Sequence, residues 1–109
     1  MKKIVSFFNR EQNLLIHICV SIIVIIASVI LKLNLYEWML IIFVISFVIT
    51  TELFNSSIEL AVDAYTNKFK ELAMVAKDVA AGAVVLSAFT SVVVGLYVFL
   101  PKILSLLNV

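Results

Sequence analysis

Three long apolar runs constrain the fold of this chain more than any other feature. They cover about residues 14–31, 36–49 and 79–100, and the third contains no charged residue. A helix needs about 20 apolar residues to cross the hydrocarbon core of a bilayer. The first and third runs meet this length alone, and the second meets it once residues 50–54 are included. The pattern predicts an all-α integral membrane protein with three transmembrane helices.

Composition supports lipid as the solvent of this chain. Of the 109 residues, 64% are hydrophobic, and the mean hydropathy is +1.22, whereas soluble domains are about half apolar. Two glycines and one proline favour helices over loops. A net charge of +1 gives no reason to expect a nucleic-acid partner. We expect one membrane-embedded domain, residues 1–109, with spans over about 14–33, 36–63 and 76–100.

Basic residues predict the orientation of the helices, because Lys and Arg concentrate in cytoplasmic segments. Six of the eight lie before the first span or between the second and third, namely Lys2, Lys3, Arg10, Lys68, Lys70 and Lys77. We therefore expect the N-terminus and the 63–78 loop in the cytoplasm and the C-terminus outside. The mixed polar and apolar segment 2–12 is expected to form a short helix on the membrane surface.

The second apolar run carries a stripe of polar residues near its C-terminal end. Placed on a helix, they cover an arc of about 100°; they are Glu52, Asn55, Ser56, Glu59 and Asp63. Ionisable residues at membrane depth usually serve function, although a helix end that has left the membrane would look similar. With no basic residue in the stripe, the three carboxylates would repel one another. Mg²⁺ with ATP phosphates would resolve this repulsion.

Residues outside the stripe can complete such a site. Glu11 lies one turn before the first span, at the same expected level as Glu59, and could be a further Mg²⁺ ligand. Lys77 and Asp78 open the third predicted helix, where an aspartate also fits a capping role. The sequence has no glycine-rich phosphate loop, so Mg²⁺ and Lys77 would have to hold the phosphates. A lone histidine such as His17 is more often a packed or interfacial residue than a ligand.

Two sequence blocks resemble the signature of the prokaryotic diacylglycerol kinase family. ELFNSSIELAVD, residues 52–63, is similar to the family pattern E-x-x-N-[ST]-A-I-E-x-x-V-D, and KDVAAGAV, residues 77–84, matches the second family block at the same distance. A weaker match covers EQNLLIH, residues 11–17, against E-x-N-[FM]-R-I-H. The residues of the second block look most like those of the undecaprenol kinase branch.

The resemblance implies a homotrimeric lipid kinase with a surface helix, three spanning helices and active sites shared between subunits. Members transfer the γ-phosphate of ATP to a lipid hydroxyl. By position, Glu52 falls on the catalytic base, Glu11 and Glu59 on Mg²⁺ and ATP contacts, and Lys77 and Asp78 on nucleotide contacts. The resemblance also assigns Asn55 and Asp63 to support of the nucleotide site, and Asn13 and His17, with Glu52, to the lipid side.

The sequence departs from the family pattern at several positions. Leu15 stands where the family usually has Arg, the N-terminal segment is short, and residues 69–70 replace a common Tyr-His pair. These departures bear on rate and nucleotide affinity more than on reaction class.

We expect ATP- and Mg²⁺-dependent phosphorylation of a membrane lipid alcohol, with undecaprenol favoured. Diacylglycerol is the alternative acceptor. An alternative of another class is a non-catalytic scaffold or transporter subunit, which would explain three spans and a polar stripe but not the combined acids, lysine and motif spacing.

Overall fold

Three helices make up the described part of the chain, which in the computed structural model comprises residues 2–3, 11–65 and 70–108. They are α1 (Gln12–Ile30), α2 (Leu35–Tyr65) and α3 (Lys70–Leu106). Each is long and apolar enough to cross a membrane, which confirms the expected three long apolar helices. The predicted surface helix over 2–12 lies largely outside the described residues.

Two of the helices continue well beyond the length that a bilayer requires. At about 1.5 Å per residue, α2 measures about 46 Å and α3 about 55 Å, against a hydrocarbon core of about 30 Å. The segment predicted as a 63–78 loop is therefore mostly helical, because α2 ends at Tyr65 and α3 begins at Lys70. Residues 70–77 (KELAMVAK) are strong helix formers, so α3 does not need the membrane to stay helical there.

The turn between α1 and α2 is closed by backbone and side-chain caps. Lys32 adopts a positive φ of 55°, and the N–H groups of Lys32 and Leu33 donate to the carbonyls of Val29 and Ser28, the pattern of a Schellman motif. Asn34 and Glu37 then form a reciprocal capping box, with bonds of 2.9 and 3.0 Å. This turn makes α1 and α2 antiparallel neighbours.

The C-terminal end of α3 packs against the same turn between α1 and α2. Lys102 Nζ lies 3.1 Å from Glu37 Oε1, and both side chains are half-buried. Close by, Leu33, Ile41 and Val98 form a small apolar core, against which Trp38 also packs. Of the two lysines expected at this end of the bundle, Lys102 has an acidic partner in the structure.

α2 is the central helix of the bundle. It packs extensively against α3 and more sparsely against α1, while the backbones of α1 and α3 do not approach each other within the described residues. Most large apolar side chains of all three helices are exposed. Such a surface is suited to lipid or to further helices and not to water.

A hydroxyl pair joins α2 to α3 in the middle of their contact. Thr51 Oγ1 and Ser87 Oγ lie 2.8 Å apart, and Ser87 is fully buried. Each hydroxyl also lies at hydrogen-bond distance from a carbonyl of its own helix. For Thr51 this is the carbonyl of Val48, and for Ser87 it is the carbonyl of Val84. The pair fixes the register of α3 beside the acid stripe, since Thr51 precedes Glu52.

We predict that Thr51→Val lowers the stability of the protein in detergent by about 0.6–1.7 kcal/mol, the usual range for a hydrogen bond between membrane helices. SDS-induced unfolding followed by circular dichroism measures this change. Thr90→Val is the matched control, because the Thr90 hydroxyl donates to the Leu86 carbonyl of its own helix. Equal destabilisation by both variants would contradict a specific role for the interhelical pair.

Candidate functional site

Glu52 lies at the centre of the candidate site. It is 17 residues into α2, which corresponds to about 26 Å from the start of the helix, so it sits close to the far edge of the hydrocarbon core. The residue is only 2% exposed. A carboxylate buried to this extent requires hydrogen-bond or charged partners, and such partners identify a site.

The remaining residues of the stripe become more exposed toward the C-terminal end of α2. Asn55 and Ser56 are buried, Glu59 is half-buried, and Asp63 is exposed. Asn55 Oδ1 and Ser56 Oγ are buried without a hydrogen-bond partner in the described chain. Buried polar atoms are rarely left unpaired in native proteins, so these two atoms are available to a further group at the site.

Helix α1 contributes an acid and a histidine to the same region. His17 Nε2 lies 3.7 Å from Glu52 Oε2. Glu59 lies two turns beyond Glu52 on the same helix. Glu11 stands at the N-terminus of α1 and makes no side-chain capping bond, which leaves its carboxylate available to a ligand. The structure therefore brings His17 next to Glu52 and leaves Glu11 and Glu59 at the same end of the bundle.

Lys77 joins the same end of the bundle through an ion pair with Asp63. Its Nζ lies 2.6 Å from Asp63 Oδ1, and both side chains are partly exposed. The argument that the stripe has no positive partner was therefore wrong, because α3 supplies one from across the interface. An exposed ion pair of this kind adds little to the stability of the fold. Its significance is that it holds the Lys77 ammonium at the end of the acid stripe.

Two further predicted residues take less defined positions. Asp78 lies two turns inside α3, since the helix begins at Lys70, and the capping role considered for it was wrong. Asp78 and Asn13 are exposed, and within the described residues neither side chain makes a hydrogen bond or ion pair. Both remain at the same end of the bundle as the acids.

Carboxylate oxygens are the donors available for a metal in this region. Among the described residues, no group of three or more His, Cys, Asp or Glu side chains is close enough to form a metal site unaided. Mg²⁺ is commonly held by one or two carboxylates together with substrate phosphates. Glu11 and Glu59 fit that smaller requirement.

An apolar groove begins at His17, the neighbour of Glu52, and follows α2 toward its N-terminus. It arises because α1 and α3 flank α2 without meeting, and it encloses a volume of about 260 Å³. His17 lies at one end and Phe99 at the other, and Val44, Val48 and Gly95 line it between them. A Cβ at Gly95 would meet open space, so nothing in the described chain fills the groove there.

Comparison with known proteins bears directly on this arrangement. Residues 1–99 match the family model of prokaryotic diacylglycerol kinase. The chain belongs to this family. It is 41% identical over 95 residues to a protein of Bacillus subtilis named undecaprenol kinase, a match that covers 87% of this chain and 77% of the relative. No solved structure matches the chain.

A second relative belongs to the same enzyme class. It is a protein of Synechocystis sp. named diacylglycerol kinase, 37% identical over 101 residues, which cover 92% of this chain and 58% of the relative. The family and both names identify the present chain as a lipid kinase and a membrane protein. The alternative of a non-catalytic scaffold is therefore set aside.

Sequence reasoning overlooked several features of the site. Thr51 and Ser87 were not considered, although hydroxyl residues in two apolar helices are a recognised sign of interhelical bonding. Ser56 was noted in the stripe but given no role, and its complete burial and free Oγ now set it apart.

Proposed function

We propose that this chain transfers the γ-phosphate of ATP to the hydroxyl of a membrane lipid alcohol, with undecaprenol as the principal acceptor. The observation that carries the proposal is the buried Glu52 carboxylate. It lies at the depth where a lipid hydroxyl meets the cytoplasmic interface, and it is surrounded by groups suited to bind phosphate and metal. The family and the names of the two relatives give the reaction class.

Glu52 acts as the general base in this proposal. The lipid oxygen attacks the γ-phosphorus of ATP while its proton passes to a carboxylate oxygen of Glu52. The bond between the γ-phosphorus and the β,γ-bridging oxygen breaks, and that oxygen leaves with ADP. Phosphoryl transfer depends mainly on positioning and charge neutralisation, so the base needs a fixed position more than great strength.

Glu11 and Glu59 would hold Mg²⁺ together with ATP phosphate oxygens. Glu59 lies two turns beyond Glu52 on α2, and Glu11 stands at the N-terminus of α1 at the same end of the bundle. The metal would neutralise charge on the phosphates. Glu11 has no competing capping bond, which supports its assignment as a ligand.

Lys77 supplies a positive charge at the nucleotide side of the site. Its ammonium is held by Asp63 at the end of the stripe, one to three helical turns beyond Glu59 and Glu52. A phosphate group that enters this region can share or replace the carboxylate partner of Lys77. Asp63, Asp78 and Asn55 are proposed as further nucleotide-side residues, and Asn13 as a lipid-side residue near the start of α1.

The choice of lipid rests on two comparisons of unequal strength. The relative named undecaprenol kinase has the higher identity and the more complete coverage of its own length. The relative named diacylglycerol kinase keeps diacylglycerol as the second candidate acceptor. Both lipids present one primary hydroxyl at the interface, so the same base and nucleotide site serve either.

We predict that the protein phosphorylates undecaprenol faster than diacylglycerol, and that Glu52→Gln lowers kcat by about 10²–10⁴-fold on either lipid, the usual cost of losing a general base. Labelled ATP and purified protein in mixed micelles measure both rates. ATP binding should persist, because the amide keeps the shape of the side chain. Glu71→Gln, at an exposed acid near the start of α3, is the control. Half of normal activity in Glu52→Gln would exclude the residue as the base.

We predict that Glu11→Gln and Glu59→Gln each raise the Mg²⁺ concentration needed for half-maximal activity, because each removes one carboxylate ligand. Excess Mg²⁺ should restore part of the rate. Titration of activity with Mg²⁺ at fixed ATP measures this shift, and Glu71→Gln again serves as the control. An unchanged Mg²⁺ dependence in both variants would refute the assignment of these ligands.

A homotrimer with shared sites is proposed as the working assembly. One chain leaves Asn55 Oδ1 and Ser56 Oγ unpaired although both are buried. Asn55 also lines a gap of about 560 Å³ beside the small residues Ala76, Ala80 and Ala83. Small residues allow close approach of a further helix, so a second copy could occupy this face and satisfy the free amide oxygen.

The orientation proposed for the chain places the acid cluster in the cytoplasm of a bacterial cell, where ATP is available. The N-terminus and the α2–α3 connection then face inward, and the C-terminus faces outward. Six of the eight basic residues lie on the inner side in this arrangement. Three spans also require the two termini to lie on opposite sides.

We predict that a membrane-impermeant thiol reagent labels Asn108→Cys in intact cells but labels Glu71→Cys only after permeabilisation. Both variants are made in a Cys19→Ser background, which removes the one native thiol. Asn108 and Glu71 are exposed, so accessibility to the reagent depends on the side of the membrane alone. The reverse pattern would separate the acid cluster from ATP and would contradict the kinase mechanism as well as the topology.

A further inference from the structure

His17 is the one described side chain of α1 whose ring nitrogen lies within 4 Å of the carboxylate of the proposed base. Its Nε2 lies 3.7 Å from Glu52 Oε2. The Glu52 side chain is 3% exposed and that of His17 is 26% exposed, so the imidazole lies between the buried carboxylate and the more open side of the bundle. The phosphoryl-transfer step as described above does not use this residue.

The packing of α1 accounts for the position of His17. Leu14, Ser21 and Ser28 share one face of the helix with His17, at spacings of three, four and seven residues. Leu14 and Ser28 are fully buried, and they fix this face against the bundle above and below the histidine. Ser21 donates to the His17 carbonyl at 2.7 Å, so its hydroxyl is satisfied within α1 and does not compete for Glu52.

The contact offers a way to orient the Glu52 carboxylate, although at 3.7 Å the two groups are not yet hydrogen-bonded. An imidazole N–H directed at Oε2 satisfies that oxygen, and Oε1 remains available to accept the proton of a substrate hydroxyl. A movement of less than about 1 Å brings the pair to hydrogen-bond distance. Catalytic hydrogen bonds are often long without substrate and tighten when the substrate binds.

The surroundings of His17 make this orientation relevant to a lipid substrate. His17 forms one end of the apolar groove, where Val20 and Val48 are its neighbours in the lining. A lipid chain in the groove would carry its hydroxyl past the imidazole to the carboxylate. Glu11 and Glu59 lie on the other side of Glu52, toward the nucleotide. The histidine therefore lies on the lipid side of the base and not among the phosphate ligands.

We propose that His17 is a positioning residue for Glu52: it holds the carboxylate so that one oxygen faces the lipid hydroxyl, and it acts on the rate through Glu52 alone. This inference rests on the proposed function. It differs from a role in lipid affinity, because an orienting residue affects the chemical step after the substrate has bound. It also differs from a packing role, because a side chain that keeps an N–H donor can replace it in part.

Steady-state kinetics of His17→Ala and His17→Gln test the proposal, with purified full-length protein, labelled ATP and undecaprenol in mixed micelles. His17→Ala should lower kcat by about 10–100-fold, the range typical of a misplaced catalytic group. The KM values for lipid and ATP should change by less than about twofold, as expected when the lost interaction belongs to the chemical step. His17→Gln should recover much of the rate. Ile16→Ala, an exposed position on the same helix, is the control and should resemble the unmodified protein.

A double-mutant cycle gives an independent measurement. In a Glu52→Gln background, adding His17→Ala should cause no further loss of kcat, because the residue acts through a base that is already absent. Additive losses would overturn the proposal, as would a His17→Ala variant with at least half of the normal kcat. A change in lipid KM at constant kcat would also overturn it, and would assign His17 to substrate binding. Unmodified protein that phosphorylates neither lipid would instead refute the proposed function itself.

Discussion

Burial of one carboxylate within an apolar bundle governs the arrangement of this protein. An isolated ionised group costs several kcal/mol when it leaves water without partners. Glu52 is almost fully buried on α2, so the neighbouring helices must supply groups that make this tolerable. His17 from α1 approaches the carboxylate directly, and the rest of the polar stripe leads from Glu52 out of the membrane to Asp63.

The same constraint explains why α2 is central and why its polar residues occupy one face. Helix α3 packs along α2 and is joined to it by the Thr51–Ser87 pair, while the stripe becomes exposed at its far end. The outer ends are held separately, by the capping box at Asn34 and the ion pair between Glu37 and Lys102. The polar contacts at the α1–α2 turn and the candidate site thus lie at opposite ends of the bundle. A change at one end is not expected to disturb the other, since distant contacts usually act independently.

Periodicity and hydrophobicity were sufficient to predict the three helices and the stripe of acids, because both are properties of single segments. The pairing of Lys77 with Asp63 could not be predicted in this way, since the two residues lie 14 positions apart and meet only when α2 and α3 pack in a particular register. The start of α3 was misplaced for a related reason. A hydrophobicity window detects where a helix enters lipid, whereas the helix itself began two turns earlier in a polar segment with high helix propensity. The 3.7 Å approach of His17 to Glu52 likewise depends on how α1 lies across α2, which no local pattern specifies.

The open space between α1 and α3 has a consequence for how a substrate would be delivered. Because the backbones of these two helices do not approach each other in the described part of the chain, the groove between them is partly open toward the surrounding bilayer. A lipid alcohol could then enter by lateral diffusion, with its chain remaining in hydrocarbon and its hydroxyl at the interface throughout. The relevant concentration would be its mole fraction among the membrane lipids, so dilution with inert lipid would slow the reaction even when the bulk amounts of enzyme and substrate stayed constant.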